Sequence, residues 1–295
     1  MSTNELAQHQ RPNNRAAHTL RPIQITYDGL SRVDGSGRFA FGPPTGPSAL
    51  ASLSGPIEVR LAAEHPSQAT FEVLLRPLAG VPAVEAKALA AVVRGALAPG
   101  LILTKNPRTL VQLVVQILVP FQGQELGKGV MREGEAQRDG ITVAAINAGT
   151  LALLNAGSVP MCGVVCAVAV GRREVDGVVV VDPEDGEEMS ARGCFAWLIG
   201  GGENRIVWMK WSPGKVEGKG KGKGKGDEEA MEEARVLSRA AASEVWEAMM
   251  GSVDTMGKAG VPYIFGDGRG DKDVRGGDPE KDDDHENGDD AKMEI

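Results

Sequence analysis

Few side chains in this sequence could form a nucleophilic or metal-binding site. His65 is the only histidine between residues 19 and 284, so a Ser-His-Asp or Cys-His arrangement in the body of the chain would depend on it. Because it precedes Pro66 in a polar stretch, a solvated loop position is favoured. The three cysteines, Cys162, Cys166 and Cys194, are an odd number, and no Cys or His has zinc-finger spacing. We therefore expect no disulfide framework, no metal site and no cofactor.

Two glycine-rich segments could cradle a phosphate, but each lacks the residues that a phosphate loop needs. Gly200-Gly201-Gly202 is not followed by the Lys and Ser of a P-loop, and it predicts a hairpin turn. Asp34-Gly35-Ser36-Gly37 lacks the spacing of a dinucleotide fingerprint and predicts a tight turn between two strands.

The acidic charge is concentrated at the C-terminus. Residues 251–295 contain thirteen acidic and six basic residues, a net charge of −7 out of −8 for the whole chain. The rest of the chain is therefore nearly neutral, and aromatic residues make up only 4% of the sequence. This composition argues against a basic stacking platform for nucleic acid, so any RNA contact must be local or shared with partners. The chain shows no secretory signal and no apolar run of about 18 residues, so we expect a soluble intracellular protein without membrane contact.

Three segments have compositions typical of disorder or of mobile loops. Residues 1–20 lack hydrophobic periodicity and predict a disordered N-terminal arm, and residues 252–295 predict a disordered acidic tail. Residues 214–226 contain five lysines among glycines, which predicts a mobile loop. A solvated linker is favoured there over a contact with RNA or an acidic partner. One domain remains, spanning residues 21–251.

Alternating or β-rich apolar runs predict the strands of this domain. In the segment from Arg108, for example, Val111, Leu113, Val115 and Ile117 share one face. The predicted strands are Ile57–Leu61, Ala69–Arg76, Arg108–Pro120, Gly163–Val170, Gly177–Asp182, Gly193–Ile199 and Arg205–Lys210.

Three segments predict helices between the strands. Pro82–Ala98 begins with a first-turn proline and ends before Pro99-Gly100, and Asp227–Met250 begins with acidic residues at the positive end of the helix dipole. The segment Arg138–Met161 is rich in Gly and Ala, which allow close backbone packing. Strands and helices therefore predict a single α+β domain with mixed β-sheets and about three main helices.

Five short motifs follow one another between residues 20 and 250. They are Ser31-Arg-Val-Asp-Gly-Ser-Gly37, Gly55-Pro56 with Glu58-Val59, Asn106-Pro107-Arg108-Thr109, Ala145-Ile-Asn-Ala148 with Asn155-Ala-Gly157 and Pro160, and Val181-Asp182-Pro183. In this order and spacing they resemble the RNase PH family, and within it the core ring subunits of the eukaryotic RNA exosome. The resemblance implies the RNase PH-like fold, which is similar to domain 2 of ribosomal protein S5.

Active members of this family degrade RNA from its 3′ end with inorganic phosphate as the nucleophile. The resemblance implies a phosphate loop, Gly-Gly-Thr-Arg, at the start of the second helix, where amides and the helix dipole assist the arginine. The matching residues here are Asp139, Gly140, Ile141 and Thr142. The arginine is replaced by Thr142, Asp139 would repel phosphate, and Ile141 suggests an apolar closed pocket. A second phosphate arginine is replaced by the apolar stretch Val81-Pro82-Ala83-Val84, so we interpret the phosphate site as degenerate.

The acidic half of the family's active site is partly retained. Asp182 matches the first family acid, and Glu188 stands about where the catalytic aspartate is expected. If the chain were active, these two residues would be its acids. An aspartate at a strand end before proline is also a common turn residue, so a structural role is favoured for both.

Two arginines are candidate RNA contacts. Arg94 matches an arginine of the first helix that faces the channel in RNA-binding relatives, and Arg108 is a second, weaker candidate. For each, a surface or ring-interface salt bridge is an equally good interpretation.

The resemblance favours a non-catalytic structural subunit of the exosome ring. It implies a six-membered ring of RNase PH-like subunits around an RNA channel, S1 and KH domain caps, and an associated hydrolytic exoribonuclease that cuts the RNA. We expect such a protein in the nucleus, including the nucleolus, and in the cytoplasm. The alternatives are an active phosphate-dependent 3′ exoribonuclease and a homo-oligomeric nucleic-acid-binding protein. Residues 122–137 and 214–226 lengthen loops relative to the family and are predicted surface insertions.

Overall fold

The computed structural model describes residues 11, 15–120, 135–184, 186–202, 204–213, 225–258 and 260–266. The helices there are α1 (Val84–Leu97), α2 (Glu135–Ala156) and α3 (Lys225–Gly251). The strands are β1 (Ile23–Thr26), β2 (Gly35–Phe41), β3 (Ser48–Glu58), β4 (Thr70–Arg76), β5 (Thr109–Ile117), β6 (Val164–Arg173), β7 (Val179–Val181), β8 (Met189–Ile199), β9 (Arg205–Pro213) and β10 (Tyr263–Phe265). Short 3-10 turns are Leu61–Ala63, Ala98–Gly100, Leu103–Lys105 and Ser252–Thr255.

The strands form two sheets. The first has the order β10-β1-β2-β3-β5-β4 and the second the order β7-β6-β8-β9. All neighbouring strands are antiparallel except β4 and β5, which are parallel and are joined through α1 as a crossover connection requires. The predicted α+β class with mixed sheets is confirmed, and each predicted helix is present. Most of each predicted strand is present, with two exceptions. In Ile57–Leu61, β3 ends at Glu58 and the chain continues into a 3-10 turn, and in Gly177–Asp182 only Val179–Val181 forms a strand.

Helix α2 is the centre of the core. It contacts β2 and β3 of the first sheet and β6 of the second, so that it is enclosed on several sides. Ile141, Ala144, Ala148 and Ala152 are completely buried. Two polar side chains attach it to β6: Asn147 binds both the N–H and the carbonyl of Ala167, and Thr150 donates to the Val165 carbonyl at 2.7 Å. The predicted close packing of small residues in α2 is therefore confirmed.

The sequence Gly35-Ser36-Gly37 belongs to strand β2, not to the predicted turn. A Cβ atom on Gly35 would lie 2.4 Å from the backbone nitrogen of Ala156, and one on Gly37 would lie 2.5 Å from the Cβ of Leu151. These glycines therefore allow α2 to lie directly on the strand. Helix packing explains their presence, and turn geometry does not.

The domain extends beyond both predicted boundaries. Arg11 and Leu20 are buried, so the prediction of a disordered arm is wrong for the described residues up to 20. At the other end, β10 pairs with β1, so the C-terminal boundary of the folded domain is at least Phe265 and not residue 251 as predicted. Residues 135–137 of the first predicted insertion belong to α2, and residues 225–226 of the second belong to α3. The remainder of the arm, the insertions and the tail lies outside the described residues.

None of the helices in the described part of the chain combines the length and the apolar character that crossing a membrane requires.

Two Gly→Ala substitutions should change stability in opposite directions. Gly35→Ala forces backbone atoms of α2 away from β2, and we expect it to lower the free energy of unfolding by about 2–3 kcal/mol. Gly95→Ala, in α1, meets no atom within 4 Å. It should raise the free energy of unfolding by about 0.5–1 kcal/mol because alanine is the better helix former. Urea unfolding of both variants checks this, and equal effects of the two would contradict the packing role of Gly35.

Candidate functional site

The four residues predicted to form the degenerate phosphate site lie inside α2. Since the helix begins at Glu135, Asp139, Gly140, Ile141 and Thr142 follow its first turn. The amides that a helix leaves free for an anion are those of its first four residues. The amides of Asp139–Thr142 instead belong to the hydrogen-bonded body of the helix, and Thr142 donates its hydroxyl to the Arg138 carbonyl at 2.8 Å.

Asp139 is buried and paired with a cation. Its Oδ1 lies 3.2 Å from Nζ of Lys210 on β9, and its backbone carbonyl accepts a weak bond from the Cys194 thiol. Arg138, directly before Asp139 in the helix, pairs with Glu85 at 3.5 Å. Each of these cations therefore faces a carboxylate, and a phosphate here would have to compete with Asp139 and Glu85.

The surroundings of this segment are apolar. Ile141 is completely buried, and a Cβ on Gly140 would lie 2.6 Å from Pro47. Where the second phosphate arginine was expected, Val81 before α1 and Val84 at its first position are 87% and 81% exposed. No cation stands within Val81–Val84.

Asp182 is the centre of a buried cluster of charges. It is only 2% exposed and has a backbone φ of 51°. Its Oδ2 accepts bonds from Arg15 Nη1 at 3.0 Å and Arg21 Nε at 2.7 Å, and its Oδ1 accepts one from Arg21 Nη2. Its backbone carbonyl accepts from Arg11 and Arg15. The side chain is therefore engaged on both oxygens, which is the environment of a structural ion pair.

The electrostatics keep Asp182 ionised. Burial disfavours its charged form, but the hydrogen bonds and positive charge of Arg21, together with the charge of Arg15, outweigh burial and hold the pKa of Asp182 below its usual value. Burial also lowers the pKa of Arg15, although a guanidinium stays charged at neutral pH. A carboxylate held in this way is a poor proton acceptor at neutral pH.

Glu188, the second predicted acid, does not join this cluster. Its side chain is exposed, and its backbone carbonyl accepts from the amide of Glu174 at 3.0 Å. The neighbouring residue, Glu187, takes part instead by binding Arg11 at 2.9 Å, while Glu184 pairs with Arg15 at 2.9 Å. Within the described residues, no group of three or more His, Cys, Asp or Glu side chains is placed to hold a metal ion.

Sequence reasoning missed the cations of this site. Arg11 and Arg15 lie in the segment predicted to be disordered, and Arg21 pairs with a residue 161 positions away. Lys210 is 71 positions from Asp139. One signal was available for the arm, because it ends in the apolar residue Leu20, which is buried in the structure.

The two arginines predicted to contact RNA both lie near the loop residue His65. Arg94 is exposed on α1 and lines a groove together with His65. Arg108, with φ of 61°, donates its backbone N–H to the His65 carbonyl, and its side chain lies 3.3 Å from Glu64. The salt-bridge interpretation therefore describes Arg108, and RNA contact stays a prediction for both.

Known proteins place this chain in a family. Residues 19–158 match the RNase PH family model, described as the 3′ exoribonuclease family, domain 1. Residues 19–158 therefore belong to the RNase PH family. The crystal structure of rice Rrp46 has the same fold, with a TM-score of 0.66 and 23% identity, over 83% of this chain and all of the rice chain.

Two curated RNase PH relatives carry exosome names. The exosome complex component rrp46 of Schizosaccharomyces pombe is 33% identical over 128 residues, which are 43% of this chain and 48% of the relative. This chain therefore matches about half the length of that protein. The exosome complex exonuclease RRP46 homolog of Oryza sativa subsp. japonica is 28% identical over 192 residues, 65% of this chain and 71% of the relative.

A measurement of unfolding stability tests whether Asp182 has a structural role in this chain. Asp182→Asn removes the buried carboxylate that Arg15 and Arg21 share, and we expect a loss of about 3–5 kcal/mol in the free energy of unfolding at pH 7. Because the folded pKa is depressed, this stabilisation is present above the unfolded pKa of about 3.9 and is lost as the pH falls through the folded value. The difference in the free energy of unfolding between Asp182→Asn and wild type should therefore become smaller below about pH 4.

Glu188→Gln is the matched control for this experiment. Its side chain is exposed, so the free energy of unfolding should change by less than about 0.5 kcal/mol. Urea unfolding of Asp182→Asn, Glu188→Gln and wild type at pH 7 and below about pH 4 gives the comparison. An Asp182→Asn protein as stable as wild type at pH 7 would show that the arginine cluster does not hold the fold.

Proposed function

We propose that this chain is a non-catalytic structural subunit of the RNA exosome ring. It would help to form the RNA channel and so support 3′-to-5′ RNA processing and degradation, including rRNA processing. The observation that carries the proposal is the internal pairing of charge at the family's active-site positions. Asp139 is paired with Lys210, and Asp182 is paired with Arg15 and Arg21.

Phosphorolysis brings the phosphate nucleophile close to the RNA phosphodiester, so an active site must supply cations that are free to hold both. Here Arg138 and Lys210 each face a carboxylate, and Val81–Val84 contains no cation. The alternative of an active phosphate-dependent exoribonuclease would require these pairs to open. It would also require the Asp182 carboxylate to leave four hydrogen bonds from Arg15 and Arg21.

The names of the relatives support a place in an exosome. The matched proteins of fission yeast and rice are called exosome complex proteins. By this likeness, the partners of our chain would be other RNase PH-like subunits in a six-membered ring, S1 and KH cap subunits, an associated hydrolytic exoribonuclease, and RNA. We place it in the nucleus, including the nucleolus, and in the cytoplasm. A homo-oligomeric nucleic-acid-binding protein is the competing assembly.

The composition of the native complex tests the proposal. The full chain, carrying an affinity tag, is purified from its own cells under native conditions, and the intact complex is analysed by mass spectrometry. We expect one copy of this chain together with different RNase PH-like chains. Complexes that contain only copies of this chain would overturn the proposal and favour the homo-oligomer.

A further inference from the structure

Ser212 is an exposed residue near the end of the edge strand β9. It is the only Ser or Thr in the sequence that proline follows directly, and a basic residue, Lys215, comes two positions after Pro213. A proline directly after the hydroxyl residue and a basic residue shortly after it form the pattern that proline-directed protein kinases recognise. The sequence around Ser212 therefore fits a substrate of such a kinase.

The position of Ser212 in the fold makes its hydroxyl accessible. Strand β9 is the last strand of the second sheet, and Ser212 is its last residue but one. The ladder with β8 ends there, with Ser212 opposite Arg192 and Pro213 opposite Ala191. The end of an edge strand is already extended and opens locally at little cost in free energy, so an enzyme can bind it without unfolding the domain.

Arg192, directly opposite Ser212, is a buried cation without a counter-charge. It is 9% exposed, and it forms no salt bridge in the part of the chain that the structure describes. Its Nη2 donates to the Glu187 carbonyl at 3.4 Å, while its buried Nη1 has no hydrogen-bond partner among the described residues. The Glu187 carboxylate itself binds Arg11. Because a buried guanidinium is normally paired with an anion, Arg192 is well suited to accept one.

The sheet geometry places Ser212 within reach of this guanidinium. Side chains directly opposite each other in an antiparallel pair lie on the same face, with Cβ atoms about 4.5–5.5 Å apart. Lys210, two residues before Ser212, lies on that face as well. Its half-exposed side chain pairs with Asp139 at 3.2 Å, so this neighbouring carboxylate already has a cation. A phosphate on Ser212 would therefore lie beside two cations.

We propose that Ser212 is a phosphorylation site and that Arg192 binds the resulting phosphate. In the modification, the Ser212 Oγ bonds to the γ-phosphorus of ATP and the bond to the oxygen bridging the β- and γ-phosphates breaks. ADP leaves, and the kinase takes the hydroxyl proton. The phosphate, with a charge of about −1.5 to −2 at pH 7, accepts charge-assisted hydrogen bonds from Arg192 and so fastens the end of β9 to β8. This inference goes beyond the proposed function and does not depend on it.

The first experiment tests whether the folded chain is a substrate. The purified full chain is incubated with ATP and a proline-directed kinase that phosphorylates a synthetic peptide of residues 208–215. Mass spectrometry then locates the phosphate. We expect phosphate on Ser212 and a loss of this incorporation in Ser212→Ala. A full chain that stays unmodified at Ser212 while the peptide is phosphorylated would overturn the proposal.

Two charge substitutions test the contact with Arg192. Arg192→Met removes the guanidinium and keeps an unbranched apolar stem. Arg205→Met removes an equal charge from the exposed first residue of β9 and is the matched control. Phosphorylation should raise the Tm of wild type and of Arg205→Met by about 3 °C, and it should not raise that of Arg192→Met. Equal rises in all three proteins, or no rise in wild type, would show that Arg192 does not bind the phosphate.

A phosphorus NMR titration needs no substitution of Arg192 and decides the question if Arg192→Met does not fold. The second pKa of phosphoserine is about 6, and a neighbouring cation favours the dianion. The pKa of the phosphate should therefore be lower in the phosphorylated full chain than in the phosphorylated peptide of residues 208–215. Equal pKa values in the chain and the peptide would overturn the proposed contact.

Discussion

The close approach of α2 to β2 is the constraint on which the rest of the structure depends. Gly35 and Gly37 remove the side chains that would hold the helix away from the strand, and the small residues of α2 do the same from the other side. Because α2 also contacts β6, the same helix joins the first sheet to the second. Its packing fixes the position of its N-terminal half, where the family places a phosphate site.

This packing decides what Asp139 can do. A carboxylate buried in a helix between two sheets needs a partner, and Lys210 on β9 supplies it. Asp182 follows the same rule in the second sheet, with Arg15 and Arg21 as partners and Arg11 binding Glu187 beside it. The arginines of the N-terminal segment thus connect the acids around Asp182 to the strand that follows Leu20. In our account, charges that serve chemistry in active relatives serve here to hold the fold.

Local patterns explain which parts of the fold were predictable. Strands β4 and β5 alternate apolar and polar residues, and α1 and α3 carry clear start and stop residues, so all four were predicted. Strand β1 was missed because it has only four residues, whereas β2 and most of β3 were missed because Gly, Ser and Pro interrupt their alternation. Strands β2 and β3 pack under α2. The altered phosphate site was visible through the family resemblance. The partners Arg11, Arg21 and Lys210 were not, because they are separated from the acids by 71 to 176 residues of chain.

The central claim is that the chain keeps the family fold without its phosphate chemistry. The most direct measurement incubates the purified full chain with uniformly labelled single-stranded RNA, Mg²⁺ and inorganic phosphate, and follows the release of labelled nucleoside diphosphates. Our account predicts no phosphate-dependent release above a reaction without protein. Release that requires phosphate and disappears in the Glu188→Gln variant, whose fold should be unaffected, would contradict it.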